Sequence, residues 1–346
     1  MSKGFYRPDI DGLRAVAVVP VVLHHAGFAG VPGGFVGVDI FFVISGFLIT
    51  TILAREIRDG QFSILSFYER RARRILPALF VVLAACLAVG WFLLLPNQYG
   101  NLAVSVGATL LFASNIWFWM DAGDYFGHGI EFAPLLHTWS LAVEEQFYLF
   151  FPLLLWALSR ASMRVWIRVI VLISLVSLAL SMYATTAHPV ANFYLTPTRI
   201  WELGIGALLA VGAFPALRRP AAVEAVALIG AVLIIGSILL ISDHTPFPGI
   251  TAIPPCLGAA FLIWAGMYGR SMIARFLTLR PVVWIGLISY SLNLWHWPVL
   301  VAARVQYGRV VNRKRTLPDR RHIEWSGGGP NHRVGGFPCE RFAARF

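Results

Sequence analysis

The sequence predicts an all-α protein, a polytopic transmembrane helical bundle of about nine to ten spans. Hydrophobic residues make up 58% of the 346 residues and charged residues only 13%, and the mean hydropathy is +0.71. Soluble domains are about half apolar and about one quarter charged. Helices are expected because they satisfy their own backbone hydrogen bonds in lipid, and the alternating pattern of a membrane β-barrel is absent. About ten apolar runs approach the roughly 20 residues that a span needs: 13–28, 35–53, 76–95, 102–120, 141–158, 166–184, 200–214, 223–241, 251–267 and 282–301.

The basic residues indicate which loops face the cytoplasm. The net charge of +11 is concentrated in short loops between apolar runs, so the N-terminus is predicted to be cytoplasmic, and nucleic acid is not an expected partner. Arginines within 160–168 favour the same side as the N-terminus. Five full crossings would put that loop on the opposite side, so one run within 76–158 should not cross fully. We expect the polar stretch 121–145 to be this re-entrant element.

The last part of the chain differs in character from the rest. Residues 304–346 contain ten Arg or Lys, three Asp or Glu, and the run Gly327-Gly328-Gly329. Such a segment has too little apolar surface to fold by itself. We therefore expect a membrane domain over 1–303 and a basic, disordered tail over 304–346, with a truncated or frame-shifted end as a hypothesis.

The first apolar run carries a candidate catalytic histidine. Asp11, Arg14, Val18 and His25 fall at helical offsets that share one face. At 1.5 Å per residue, Arg14 and His25 are separated by about 16 Å along the helix axis. An imidazole titrates near neutral pH, which suits removal of a hydroxyl proton. The structural alternatives are a packing histidine and, for Arg14, an interfacial anchor; His24 points about 100° away and is the weaker candidate.

A cluster of arginines precedes the third apolar run. Arg70 with Arg73, and Arg71 with Arg74, are neighbours on a helix at a spacing of three. Like charges so close together repel, so the arrangement fits an anion such as the phosphates of coenzyme A. A positive-inside anchor and an anionic lipid site are the alternatives.

An aspartate lies within the second apolar run. Asp39 follows the glycine-rich stretch that begins at Gly33. A carboxylate within a span is costly unless it is paired, so His25 or an arginine is the expected partner.

The segment from His137 to Tyr148 combines aromatic, hydroxyl and acidic residues. Glu144 and Glu145 are adjacent and cannot share a helix face, so we expect one to face a cavity and the other a loop or the headgroups. Ser140 has no local base, which disfavours a covalent serine mechanism. Trp139 and Ser140 are predicted to contact substrate.

Two later motifs supply further candidates. His296 lies in the segment Ser289–Pro298 between Trp295 and Trp297 and is also a candidate substrate contact, although tryptophans near a span usually mark the interface. Arg199 and Glu202 are three residues apart, and the simplest interpretation is that they pair with each other.

At these residues the chain resembles the acyltransferase-3 family of bacterial integral-membrane O-acyltransferases. The matching segments cover roughly residues 5 to 303: Tyr6–Arg14, His25–Gly27, Gly34–Phe47, the arginine cluster, Trp139–Tyr148 and Ser289–Pro298. The resemblance implies an acyl-CoA donor, most often acetyl-CoA, on the cytoplasmic side. It also implies a cell-surface glycan acceptor such as the lipopolysaccharide O-antigen, and the bacterial cytoplasmic membrane as location.

By motif, the resemblance maps the family's essential histidine to His25, its first-span arginine to Arg14, and its Arg-x-x-Arg pair to Arg71 and Arg74. The overlapping pair Arg70 and Arg73 remains an alternative. The sequences of the motifs are most similar to those of family members that continue into an SGNH-type esterase domain. We expect this chain to differ from them in having neither that domain nor the usual last span, and it carries Asn293 where tyrosine is usual.

The sequence therefore predicts an acyl-CoA-dependent O-acyltransferase in a lipid bilayer. Arg14 and the arginine cluster would hold the donor, and His25 would act as general base or carry the acyl group. An acidic group would orient His25: Asp11, Asp39, Glu144 or Glu145. No metal is expected, since the three cysteines show no CxxC or CxxH spacing. A transporter or flippase of glycans or lipids, and a structural membrane subunit, are the alternatives.

Overall fold

The computed structural model describes residues 6–122 and 132–316, and every regular element within these ranges is helical. The predicted all-α class is confirmed. Short 3₁₀ turns lie at Gly34–Val36, Thr196–Thr198 and Gly249–Ala252. The helices are α1 Pro8–His25, α2 Gly37–Arg58, α3 Ile64–Leu93, α4 Pro96–Leu110, α5 Ser114–Ala122, α6 Thr138–Ala157, α7 Met163–Ala187, α8 Pro189–Tyr194, α9 Ile200–Ala210, α10 Pro220–Leu240, α11 Ile253–Tyr268, α12 Met272–Leu277 and α13 Arg280–Thr316.

Five segments of the described chain are long and apolar enough to cross a membrane: Gly34–Arg58, Ile64–Leu93, Met163–Ala187, Pro220–Leu240 and Gly249–Tyr268. The chain is therefore a multi-pass membrane protein. Three further predicted runs form α1, α6 and α13, which carry the polar residues of the site described below. The run that begins at residue 200 is shorter and forms α9.

The predicted run 102–120 is divided into two helices. Phe112 has a φ of 51°, which ends α4 after 15 residues and lets α5 begin two residues later. At 1.5 Å per residue the two helices measure about 22 Å and about 14 Å, so neither crosses a bilayer core of about 30 Å. The end of α5 returns toward the start of α4, because Asp121 and Gln98 line the same cleft. The pair forms a re-entrant hairpin.

The stretch predicted to be re-entrant, 121–145, is described only in part. Residues 123–131 of the stretch 121–145 lie outside the described residues, and from Thr138 onward the chain is the continuous helix α6. The helix is interrupted earlier, at Phe112, because α6 supplies hydrogen-bond partners there. The Gln146 side chain donates to the Phe112 carbonyl at 2.8 Å and to the Asn115 side chain at 2.9 Å. Backbone groups released inside a membrane need such internal partners.

The hairpin removes the conflict in the predicted topology. Counting α1, α2, α3 and α6 as crossings and the short α4–α5 hairpin as none gives four crossings before Arg160. An even number of crossings puts Arg160 on the same side as the N-terminus, as the basic residues require.

Two close helix contacts hold the functional side chains in register. A Cβ on Gly46 of α2 would lie 1.9 Å from the Leu203 carbonyl oxygen of α9, and a Cβ on Gly286 of α13 would lie 1.8 Å from the Asp11 carbonyl oxygen of α1. Only glycine permits these approaches, which resemble the small-residue contacts of membrane helices. The α2–α9 contact carries Asp39 and Arg199, and the α1–α13 contact carries the two histidines of the site.

The last described helix extends beyond the predicted domain boundary. Helix α13 continues past residue 303 to Thr316. The rest of the predicted tail, residues 317–346, lies outside the described residues.

Candidate active site

Two histidines from opposite ends of the chain form the centre of the site. His25 is the last residue of α1, just before Gly27, whose φ of 82° turns the chain away. Its Nδ1 lies 2.9 Å from Nε2 of His296 on α13. The rings lie side by side with their planes nearly parallel, inclined by 6°, and their centroids 5.2 Å apart. Nδ1 of His296 lies 2.7 Å from the Asn293 carbonyl oxygen.

This chain of contacts determines the tautomers of two neutral rings. A carbonyl oxygen only accepts hydrogen bonds, so Nδ1 of His296 carries its proton and Nε2 of His296 is an acceptor. Nδ1 of His25 must therefore donate to it, which leaves the lone pair on Nε2 of His25. That nitrogen is the atom able to accept a proton or attack a carbonyl carbon.

The predicted acidic partner of His25 is wrong. None of Asp11, Asp39, Glu144 and Glu145 contacts His25, because His296 occupies that position. The neighbouring His24 points elsewhere, as predicted: its Nε2 lies 3.4 Å from the exposed carboxylate of Asp243.

Aromatic and basic groups complete the surroundings of His25. The ring of Trp297 meets it edge-on at 4.8 Å, and the Trp297 indole donates to the Ala133 carbonyl at 2.8 Å. The Arg304 guanidinium donates to the backbone carbonyl of His25. These contacts fix the end of α1 and the orientation of the imidazole.

Asp39 pairs with an arginine, the second of its two predicted partners. Its Oδ1 lies 3.0 Å from Nη2 of Arg199, and Glu202 lies 3.1 Å from Nη1 of Arg199 as the spacing predicted. All three side chains are buried. The guanidinium is 5.6 Å from the Trp139 ring centroid, within cation–π distance. Arg199 lies between the 3₁₀ turn Thr196–Thr198 and the start of α9, in the segment that separates α8 from α9.

This acidic cluster does not suit a metal ion. The potential ligand atoms of Asp39, Glu202 and Cys256 lie within 4.8 Å of one another. However, the Arg199 guanidinium already contacts both carboxylates and would repel a cation bound between them.

A larger cleft lies toward the other end of α1 and has an empty volume of about 1040 Å³. Arg14, Arg71 and Arg74 line it, and Arg74 lies within electrostatic range of the other two. Arg14 is also 3.6 Å from the Asp11 carboxylate, which is buried. We call this space the arginine cleft.

Both glutamates of α6 face the arginine cleft, so the expectation that one would point away is wrong. Glu144 accepts a hydrogen bond from Ser45 of α2 at 2.9 Å, and Glu145 accepts one from Arg71 of α3 at 3.0 Å. The cleft is wide enough to contact two faces of α6. Arg71 also stacks 4.0 Å from the Tyr148 ring centroid.

The four arginines of the cluster lie on two faces of α3, one exposed and one lining the arginine cleft. Arg70 pairs with Glu56 at 2.7 Å and its side chain is 52% exposed, while Arg73 pairs with Glu69 at 2.6 Å and is 79% exposed. Neither lines the arginine cleft. Of the two overlapping Arg-x-x-Arg pairs, Arg71 and Arg74 are the pair that lines it.

The arginine cleft meets a second cleft, with an empty volume of about 440 Å³, that contains the histidine pair. The second cleft, called the histidine cleft below, is also lined by Trp139, Asp39 and Arg199. Four residues line both spaces: Val38, His137, Ser140 and Asn293. The two clefts therefore adjoin, with these four side chains between the guanidinium groups and the imidazoles.

Sequence reasoning missed several lining residues. In the sequence, His137 is only the first residue of a motif, Asn293 only a departure from a family pattern, and Arg199 only a partner of Glu202. An ionisable residue in an apolar segment is a functional candidate by default, and this signal could have identified Arg199 and His137.

A comparison with known protein families shows which family the chain belongs to. The family model described as "Acyltransferase domain" matches residues 7–312. The chain belongs to the acyltransferase-3 family. The predicted resemblance is confirmed over most of the sequence.

Curated relatives of this acyltransferase-3 chain are about one-third identical to it. O-acetyltransferase OatA of Staphylococcus aureus is 34% identical over 316 residues, which cover 87% of this chain and 52% of the relative. Peptidoglycan O-acetyltransferase OatA of Listeria monocytogenes is 34% identical, with coverage of 85% and 49%. Putative peptidoglycan O-acetyltransferase YrhL of Bacillus subtilis is also 34% identical, with coverage of 86% and 49%. The chain spans about half the length of these relatives, and no solved structure matches it.

Proposed function

We propose that this chain transfers an acetyl group from acetyl-CoA to a hydroxyl group of a cell-surface glycan. The observation that carries the proposal is that the arginine cleft adjoins the histidine cleft, in which His25 lies. The names of the relatives support O-acetylation as the reaction.

The arginine cleft suits the nucleotide end of the donor. Arg14, Arg71 and Arg74 offer planar guanidinium groups that bind phosphate in a bidentate manner. His25 lies about 16 Å along α1 from Arg14, a distance that a long, flexible thioester arm can cover. With the N-terminus in the cytoplasm, the donor enters from the cytoplasm and His25 faces the outer side of the cytoplasmic membrane.

The chemistry begins at Nε2 of His25. This nitrogen takes the proton of the acceptor hydroxyl while the hydroxyl oxygen attacks the thioester carbonyl carbon. The tetrahedral intermediate collapses with cleavage of the C–S bond, and the proton passes to the departing thiolate. In the alternative route, Nε2 attacks the carbonyl carbon first and the C–S bond breaks to release the thiolate; the acceptor oxygen then takes the acetyl group from Nε2, and its proton passes to the thiolate. The hydrogen bond to His296 supports both routes because it exposes the same lone pair.

The acceptor proposed is a cell-wall glycan. Two of the relatives carry peptidoglycan in their names, which favours a peptidoglycan hydroxyl over the lipopolysaccharide O-antigen suggested from the sequence. Trp139, Ser140 and His296 line the histidine cleft where the hydroxyl would arrive.

A reconstituted assay with a matched control tests the proposal. Thiol release from acetyl-CoA in proteoliposomes should be lost in His25→Ala and retained in His24→Ala, since His24 pairs with Asp243 outside the site. Mass spectrometry of muropeptides and lipopolysaccharide from cells with and without the gene identifies the acceptor. Normal thiol release by His25→Ala would overturn the proposal, and glycan or lipid transport without thiol release would favour a transporter.

A further inference from the structure

His137 lies where the two clefts meet, although the proposed reaction gives it no role. It is the residue before α6, it is buried, and it lines both the arginine cleft and the histidine cleft. Its ring meets His296 edge-on, with centroids 5.6 Å apart and planes inclined by 71°. On the proposed function, a thioester that extends from the arginines to His25 would lie against this imidazole.

The ring of His137 has unused hydrogen-bonding capacity. Neither Nδ1 nor Nε2 has a hydrogen-bond partner of good geometry among the described residues, and the backbone acceptor that approaches the ring is the Leu294 carbonyl. A buried polar group without a partner destabilises the folded state. An apolar residue of similar size would pack here without that cost, so the unpaired imidazole points to a ligand.

We propose that His137 donates a ring N–H hydrogen bond to the carbonyl oxygen of the donor thioester as the tetrahedral intermediate forms. This inference rests on the proposed function. When the acceptor oxygen or Nε2 of His25 bonds to the carbonyl carbon, the carbonyl π electrons move to oxygen. The negative charge stays there until the C–O double bond re-forms and the C–S bond breaks. Both routes pass through this oxyanion, so the role of His137 is independent of the choice between them.

The surrounding residues favour a hydrogen-bond donor over a second base. Nε2 of His25 already provides the lone pair that takes the acceptor proton. A neutral imidazole that donates to a developing oxyanion in an enclosed site stabilises it strongly, because a preorganised donor does not have to reorient during the reaction. His137 shares the histidine cleft with His25, as contact of both groups with one carbonyl requires.

Two substitutions at His137 separate catalysis from structure. His137→Phe removes both nitrogens and keeps a flat ring, whereas His137→Gln keeps an N–H donor. For thiol release from acetyl-CoA in proteoliposomes, His137→Phe should lower kcat by roughly 10²–10³-fold and change KM by less than about threefold. His137→Gln should recover at least about tenfold of that loss. The melting temperature of His137→Phe should be unchanged or higher, because an unpaired polar group has been removed.

Three results from folded variants would overturn the inference. They are a kcat of His137→Phe close to that of the native protein, a loss confined to KM, or a fall in melting temperature shared by both variants. Failure of His137→Phe to fold would also reject it, since the native imidazole makes no hydrogen bond of good geometry among the described residues. His25→Ala is measured in parallel: if it stays active, the proposed function itself fails, whereas an inactive His25→Ala beside an active His137→Phe rejects only the role of His137.

Discussion

The four arginines of one helix allow a matched test of donor binding. Arg71→Gln and Arg74→Gln should raise the KM for acetyl-CoA, because these side chains line the arginine cleft. Arg70→Gln and Arg73→Gln should leave it unchanged, because these side chains are 52% and 79% exposed and pair with glutamates outside the cleft. Each variant removes one positive charge from the same end of α3, so any effect on membrane orientation is common to all four.

The size of the effect follows from the contacts. A hydrogen bond to a charged group contributes about 1.5–3 kcal/mol, which corresponds to roughly 10- to 150-fold in affinity. Arg71 should lie at the low end, because it must exchange its bond to Glu145 for one to phosphate. Exposed pairs contribute about 0–1 kcal/mol, so the two outer arginines should change KM by less than about fivefold.

The assay is the initial rate of thiol release as a function of acetyl-CoA concentration in proteoliposomes. A rise in KM at constant kcat identifies loss of binding shared by the ground state and the transition state. Added salt should weaken donor binding further by screening the charges. Equal effects at all four positions would refute the division into an inner and an outer face and leave the cluster as a simple positive-inside anchor.

Three further outcomes follow from the packing and the hydrogen bonds. His296→Ala should lower kcat by roughly 10²-fold, and His296→Gln should restore much of it because an amide oxygen can accept from His25; equal loss in both variants would reject the positioning role. Arg199→Leu should destabilise the protein by about 3–5 kcal/mol, because two buried carboxylates lose their counter-charge; an unchanged melting temperature in detergent would contradict this. Gly46→Ala should lower the free energy of unfolding by about 1–3 kcal/mol. Gly236→Ala, whose added methyl group meets open space, should raise it by up to about 1 kcal/mol. Equal melting temperatures would show that the α2–α9 contact is not tight.

Much of the fold could be predicted from the sequence. Apolar runs predict membrane helices because lipid leaves few other structures possible, and the basic loops predicted that one run between residues 76 and 158 would not cross. The location of that run could not be predicted from local signals. The left-handed residue Phe112 lies within a continuous apolar run and is stabilised by Gln146, 34 residues away.

The candidate site divides in the same way. Helical spacing and the cost of buried charge identified His25, Asp39 and the arginines as unusual. The partners could not be read from the sequence: His296 is 271 residues from His25, and Arg199 is 160 residues from Asp39. An acid was the natural expectation for His25, and only the packing of α1 against α13 replaced it with an imidazole.

The amino-acid sequence by itself determined the helical class, the membrane setting, the family and the types of residue that the chemistry needs. These properties depend on composition and on contacts within a few turns of one helix. The tertiary structure decided which nitrogen of His25 is free, which two of four arginines face inward, and where the two clefts meet. Those properties depend on side chains brought together from distant helices, and a one-dimensional pattern does not encode the close glycine contacts that set the helix registers.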